Sequence, residues 1–423
     1  MTPLFAIAFR NLLRARRRTL LSGGTMVLGS AALVLGSGLS DGIARQLTRS
    51  LVAVQTGHLQ VVARADDFQP QNSPFDAYSQ ERLHGAEALA RRIEAEGKQA
   101  GVVRAVPYLY GRGTAIAGNR TSLASVVGIV STREPELQAA HPVEAGTFLP
   151  PGDDLAVFIA SPMARKLRLS VGDSVSFVVQ TPQGAVNSLD AVVCGVFRKG
   201  APWQENTFYV SLAAAQSLFD WPGDATNVKI TLEGGSASAA RRARPFVQQL
   251  LAESPAPEPK TVLRVETYEE AGRFSFSIIQ ANQTALAILS SFLFAAAAVG
   301  IVNALLMSVH ERTREIGTVR ALGMRRKTVV RMFVLEGLAL GVVSAVAGVA
   351  LGGAAVLYYG WRGIPMNTIT LAWMAGGDML FPVLSGANVA RAATAIAALS
   401  TLAAVYPARV ASRLEPREAL HHV

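Results

Sequence analysis

A single cysteine, Cys194, stands in 423 residues, so no internal disulfide framework can form. The six histidines do not fall at spacings that hold a metal ion. No GxxxxGK(S/T) phosphate loop occurs, which removes the backbone cradle and the lysine that hold nucleotide phosphates. No nucleophile, histidine and acid stand out as a set, so a non-catalytic chain is expected, with no cofactor of its own. Charged side chains are scarce too, at 17% against about 25% in soluble domains, while 50% of the residues are apolar. A cleavable leader is not expected, because the apolar run behind the basic N-terminus is too long and has no clear small-residue cleavage site.

What is present is apolar length. About 20 helical residues cross a hydrocarbon core of roughly 30 Å. Residues 19–40 and 274–309 carry no charge, residues 332–359 are interrupted only by Glu336, and residues 386–408 only by Arg391, which can snorkel to the interface. The expected fold class is an α-helical membrane protein with four transmembrane helices and a large mixed α/β extracytoplasmic domain between helices 1 and 2.

The net charge of +10 would suggest nucleic acid if it lined one groove, and it does not. Residues 1–18, 310–331 and 407–423 together hold 15 basic and 4 acidic side chains, leaving 25 and 26 for the rest of the chain. A four-span topology puts those three segments on one side, and the positive-inside rule makes that side the cytoplasm. The expected location is the bacterial inner membrane, multi-pass, with both termini cytoplasmic: 1–18 inside, 41–273 outside, 310–331 inside, 360–385 outside and 409–423 inside.

Within 41–273, alternating stretches at 57–64, 155–160, 174–180, 191–197 and 227–232 read as strands. Residues 80–97 and 236–253 read as amphipathic helices, the first with Leu83, Leu89 and Ile93 on its apolar side. Strand–helix–strand units at the two ends, around a β-rich insert at about 142–221, suggest one domain interrupted by another. His58 and His84 lie in this region without ligand partners and read as packing or surface residues, while His421 and His422 are terminal. Asn119-Arg120-Thr121 is a glycosylation sequon of a kind common by chance.

Residues 300–341 read GIVNALLMSVHERTREIGTVRALGMRRKTVVRMFVLEGLALG. This is a span leaving the membrane, a short basic amphipathic helix, and a second span. Ile316, Val319 and Leu322 fall near one face, Arg314, Glu315 and Arg320 lie around it, and Gly323 is placed to end the helix. A loop that only satisfied the positive-inside rule would need neither an apolar face nor acids among its arginines. Gly337 with Gly341, and Gly348 with Gly352, have the four-residue spacing that lets helix backbones approach, either within the chain or in a dimer. Glu336, just inside the third span, reads as an ion-pathway residue or, more readily given its nearness to the cytoplasmic boundary, as a contact with the segment 310–331.

The run HERTREIGTVRALGMRRKTVVRMFVLEG resembles the cytoplasmic coupling segment of the MacB/FtsX/LolC–LolE permeases, the mechanotransmission class of ABC transporters. The tail YPARVASRLEPREAL is similar to the usual ending of that family, and FRNLLRARRRTLL fits its entry into the first span. The resemblance implies a dimer of this chain or of this chain with a paralogue, two copies of an ABC ATPase subunit that bind ATP and Mg, a lipid membrane and no nucleic acid. A periplasmic adaptor or a lipoprotein acceptor are further partners it allows. It places Glu311, Arg312, Arg314, Glu315, Ile316, Gly317, Arg320, Ala321 and Gly323 at the ATPase contact. Leu21-Ser22-Gly23-Gly24 matches the start of the ABC ATPase signature but sits inside the first span, where it reads as close-packing residues. The function it implies first is lipoprotein or amphiphile release from the inner membrane, with efflux of peptides or drugs through a periplasmic adaptor second and FtsX-like control of a cell-wall hydrolase a rival disfavoured by the size of the external domain.

Overall fold

The structure, a computed structural model, describes residues 16–68, 81–181, 184–198, 204–253, 261–368, 371–372 and 375–414, with side chains from residue 23 onward. Residues 1–15 and 415–423, which carry part of the N-terminal and tail charge together with His421 and His422, lie outside the described residues. The rest divides into two compact units. One holds the described residues up to Ile43, Ile279–Ile364 and those from Leu380 onward, and the other holds Ala44–Ile278 and Pro365–Met379.

In chain order, helix α1 (Arg16–Ser50) continues as a π-helical turn, Leu51–Thr56, before β1 (Leu59–Ala65), α2 (Ala86–Glu96), β2 (Val102–Ala117) and β3 (Arg120–Ile129). Then come α3 (Pro135–Ala140), β4 (Val143–Gly146), β5 (Ala156–Ala160), α4 (Ser161–Leu167), β6 (Ser174–Gln180), β7 (Val186–Phe197) and β8 (Thr207–Ser211). Next are α5 (Leu212–Phe219), β9 (Asn227–Leu232), α6 (Ala237–Ala252), β10 (Thr261–Thr267) and α7 (Tyr268–Ala271). The chain closes with α8 (Arg273–Glu311), α9 (Thr313–Ala321), α10 (Arg326–Arg362) and α11 (Gly386–Arg413).

The α/β unit has two lobes. In the first, β1, α2, β2 and then β9, α6, β10 form two strand–helix–strand halves with sheet order β10–β1–β9–β2, the split βαβ arrangement. Apolar side chains of α2 (Leu89, Ile93) and α6 (Val247, Leu250) cover one face of this sheet against Val61, Val228, Ile230 and Val265. Local signals agree, since the Ser236 hydroxyl accepts from Ala239 N to start α6, and Thr267 and Glu270 form a capping box at α7. In the second lobe the pairings β2–β3–β8–β5–β7–β6–β2 close on themselves as a six-stranded barrel, parallel only at β3/β8 and β5/β7. Both faces of β5 are buried. Val157 and Ile159 point into one apolar cluster and Ala156, Phe158 and Ala160 into another.

Two expectations about this unit need correction. The β-rich insert takes in more chain than residues 142–221, because β3 and the second half of β2 complete the barrel. The helix expected over 80–97 begins only at Ala86. Glu81 and Leu83 are extended and bond to Ala63 O and Ala225 O, and Gly85 turns the chain at φ +63°.

Among the described residues four helices are long and apolar enough to cross a membrane: Gly23–Thr56, Arg273–Glu311, Arg326–Arg362 and Gly386–Arg413. Glycines set their spacing. A Cβ at Gly348 would lie 2.5 Å from Ser30 Cβ, one at Gly352 2.7 Å from Ala31 O, and one at Gly337 2.5 Å from Ala404 Cβ, while one at Gly341 would overlap Ser400. The first two glycines therefore seat α10 against α1 and the last two seat it against α11, so all four are occupied within the chain. In contrast α8 packs mainly through its C-terminal half, by Ala297, Ile301 and Leu305, and leaves Ile288, Leu289, Phe292 and Val299 more than half exposed.

Candidate coupling site

Between α8 and α10 the chain makes one short helix, α9, with an inner and an outer face. Thr313, Ile316 and Gly317 are buried, and Ile316 packs with Val309, Val329, Phe333, Ala408 and Ala411. The Thr313 hydroxyl donates to Val309 O at 2.9 Å, which splices the new helix onto the end of α8. After Ala321 the chain turns at Gly323, whose φ of +98° is a left-handed conformation that favours glycine.

The structure distributes the expected contact residues unevenly. Glu311, Arg314, Glu315, Ala321 and Gly323 are exposed, whereas Ile316 and Gly317 are buried on the inner side. Arg312 lies between the faces. Its Nε donates to Glu315 Oε2 at 3.1 Å, and its Nη1 approaches Glu336 Oε2 at 3.7 Å. Glu336 is only 1% exposed on α10, so a buried carboxylate faces the guanidinium at the start of α9. Arg320 is turned back into the unit and donates to the Leu414 carbonyl at the end of α11.

One expectation fails in detail. Val319 and Leu322 do not share the buried face of Ile316, for Leu322 is 83% exposed and Val319 is exposed as well. At 100° per residue, Val319 lies about 60° and Leu322 about 120° round the axis from Ile316, and a helix of nine residues touches its support only at its first turn and a half. The outer surface of α9 therefore combines apolar Val319 and Leu322 with Arg314, Glu315 and Thr318. Such a mixture of an apolar centre and a charged rim is the composition of a protein contact.

The α/β unit contains a second set of polar groups that the sequence reading did not find. Lys229 on β9 is 2% exposed, and its Nζ lies 2.7 Å from Glu134 Oε2. The same ammonium donates to Ala53 O at 2.6 Å, in the π-helical turn, and to Tyr108 Oη at 3.2 Å. Burial holds the Lys229 ammonium below the ordinary lysine range and, with the nearby Glu134 charge, lifts the Tyr108 phenol well above its own. Close by, His141 is buried with Nε2 at 2.9 Å from Tyr209 Oη, and burial lowers its pKa to about 4. His58 is half-enclosed, and His84 lies at the surface. His58 Nδ1 accepts from Leu232 N at 3.0 Å, and His84 Nδ1 lies 2.9 Å from Asp224. Among the described residues no group of three or more His, Cys, Asp and Glu side chains is placed to hold a metal ion.

Comparison with known proteins gives two family matches. Residues 19–244 match the MacB-like periplasmic core domain, and residues 287–416 match the FtsX-like permease C-terminal domain. A relative in Haemophilus influenzae, the lipoprotein-releasing system transmembrane protein LolE, is 22% identical over 93% of this chain and 92% of its own length. The lipoprotein-releasing protein LolC of Neisseria meningitidis is 23% identical over 76% of the chain and 79% of its own. The macrolide export ATP-binding/permease protein MacB of Rhodopirellula baltica is 28% identical over 46% of the chain but only 26% of its own length.

Proposed function

This chain belongs to the MacB/FtsX/LolC–LolE family of ABC transporter permeases, and from that premise we propose that it couples ATP hydrolysis by a separate ATPase to movement of its α/β domain on the far side of the membrane. The observation that carries the proposal is α9. Its inner face is fixed by Ile316, Gly317 and the Arg312–Glu336 approach, and its outer face is open at Arg314, Glu315, Val319 and Leu322. On this reading a cytosolic ATPase, holding ATP and Mg, grips the outer face, and the push reaches α8 through Thr313 and α10 through Glu336. Glu311, Arg312, Arg320, Ala321 and Gly323 shape or flank the contact. Two permease chains and two ATPases form the working unit, and the exposed apolar side of α8 is where the second permease chain is placed.

The cargo we favour is a lipoprotein or similar amphiphile released from the inner membrane. Support comes from the end-to-end match to LolE, whose name assigns it to lipoprotein release. The match to MacB covers under half of the chain, which makes peptide or drug export with an adaptor the second reading.

Both parts can be tested. Glu315→Arg places a cation in the docking face beside Arg312 and Arg314. The variant complex should retain its fold but lose cargo-dependent ATP hydrolysis, and turnover equal to wild type would sink the docking assignment. Orientation is checked in a background with Cys194 replaced. A cysteine at Gly118 should label from outside and one at Arg325 only from the cytosol.

A further inference from the structure

A cavity of about 500 Å3 lies among α1, α8 and α11, at the ends of these helices remote from α9. Its volume is within the range that takes a small ligand, roughly 300–1,000 Å3. Its polarity runs in one direction along α1 and α11, while α8 contributes Ser290 and Ser291 midway. The remote end is polar, with Ser40 and Asp41 on α1 and Asn388 and Arg391 on α11. The end nearer α9 is apolar, lined by Leu33 and Phe294. From Ala32 to Asp41 the wall of α1 rises about 14 Å at 1.5 Å per residue, so the cavity is a slot and not a dimple.

The polar end is organised around one amide. Asn388 is 5% exposed, donates through Nδ2 to Asp41 Oδ2 at 2.8 Å, and accepts from Arg391 at Oδ1. The amide thus holds a carboxylate and a guanidinium on opposite sides without letting them neutralise each other directly. Ser40 is equally buried, and its hydroxyl has no hydrogen-bond partner among the described residues. A network that served only to pin α1 to α11 would need neither an orphan hydroxyl nor a slot beside it. An orphan hydroxyl at the polar mouth of an apolar slot points to a ligand with a polar head and a hydrocarbon tail.

We propose that this cavity binds one glycerophospholipid with a zwitterionic headgroup. Its phosphate lies on Arg391, its ammonium on Asp41 and a glycerol ester oxygen at Ser40, while one acyl chain runs along Leu33 to Phe294. Arginine suits the phosphate because its planar donors match two oxygens at once. Separated positive and negative groups select a headgroup that carries both charges. The inference needs the four helices to be membrane spans but is independent of which cargo the transporter moves.

Native mass spectrometry of the full chain, released from mild detergent with dioleoyl phosphatidylethanolamine added, is the test. One lipid should remain bound to wild type, more tightly than phosphatidylglycerol or diacylglycerol. Arg391→Leu should weaken retention at least tenfold. Ala287→Leu, which fills the slot and leaves the polar end intact, should do the same, and Arg362→Leu, an exposed arginine at the end of α10, should have no effect. Equal retention by Arg391→Leu and wild type, or equal binding of diacylglycerol, overturns the headgroup assignment. Equal retention by Ala287→Leu overturns the slot. A triacylated lipopeptide that binds there when phosphatidylethanolamine does not would make the cavity a cargo site and end the phospholipid proposal. Loss of ATPase coupling in Glu315→Arg with lipid retention unchanged would separate this inference from the docking reading.

Discussion

Replacing Lys229 by methionine keeps the length of the side chain and removes the cation from the buried knot of the α/β unit. Glu134, 1% exposed and 2.7 Å from Lys229 Nζ, is then stranded. Breaking a buried pair by removing one member costs about 3–5 kcal/mol. Cys194 supplies the reporter. It is the single thiol of the chain, half-buried on β7 with Sγ 3.2 Å from Val157 O, and burial raises its pKa to about 11. When opening and closing are fast, labelling follows the population of the open unit, so Lys229→Met should label at least about a hundredfold faster than wild type at pH 7. Lys229→Met combined with Glu134→Gln should recover most of the difference. A Lys229→Met protein that labels and melts like wild type at pH 7 refutes the argument.

His141 has a folded pKa of about 4 against 6.5 for the free side chain, lowered by burial. From pH 6.5 downward the unfolded chain binds a proton that the folded chain refuses, so wild type should lose up to about 3 kcal/mol by pH 4; His141→Phe should flatten that part of a denaturant midpoint against pH profile, and an unchanged slope would count against it. Gly348→Leu should lower the melting temperature in detergent by an overpacking cost of about 1–3 kcal/mol or more, whereas Gly24→Leu, with open space around it, should not. Glu336→Leu removes the carboxylate that Arg312 approaches. It should loosen α9 and speed tryptic cleavage after Arg314 and Arg320, and a wild-type digestion pattern would show that the pair does not anchor the helix.

The four apolar helices were legible because spanning length and lack of charge are local properties. The stop of α9 was legible for the same reason, since Gly323 carries its own conformational signal. Contacts between distant residues were not. Arg320 reads as an exposed member of a basic helix, and only the fold brings it to the Leu414 carbonyl. The β2–β3 hairpin was missed because Pro107, Gly111 and Gly113 argue against a strand. In the fold Pro107 still pairs with Val228, and Gly111 leaves the room that the Phe219 ring occupies. Lys229 sits in NVKITL at what looks like the outward position of an alternating strand, yet both faces of β9 are covered, so the lysine is enclosed.

Strand β2 serves both lobes of the α/β unit, pairing with β9 over Val102–Tyr108 and with β3 and β6 further on. Neither lobe owns all of its own hydrogen bonds, which shapes how such a domain can change over time. A recombination event that carried in a foreign barrel without its half of β2 would leave β9 with an open edge, and one that replaced β2 whole would have to satisfy two sheets at once. The barrel is thus inherited with its neighbour, and new surface specificity must enter through hairpin tips such as Gly118 to Arg120, where an insertion disturbs one ladder alone.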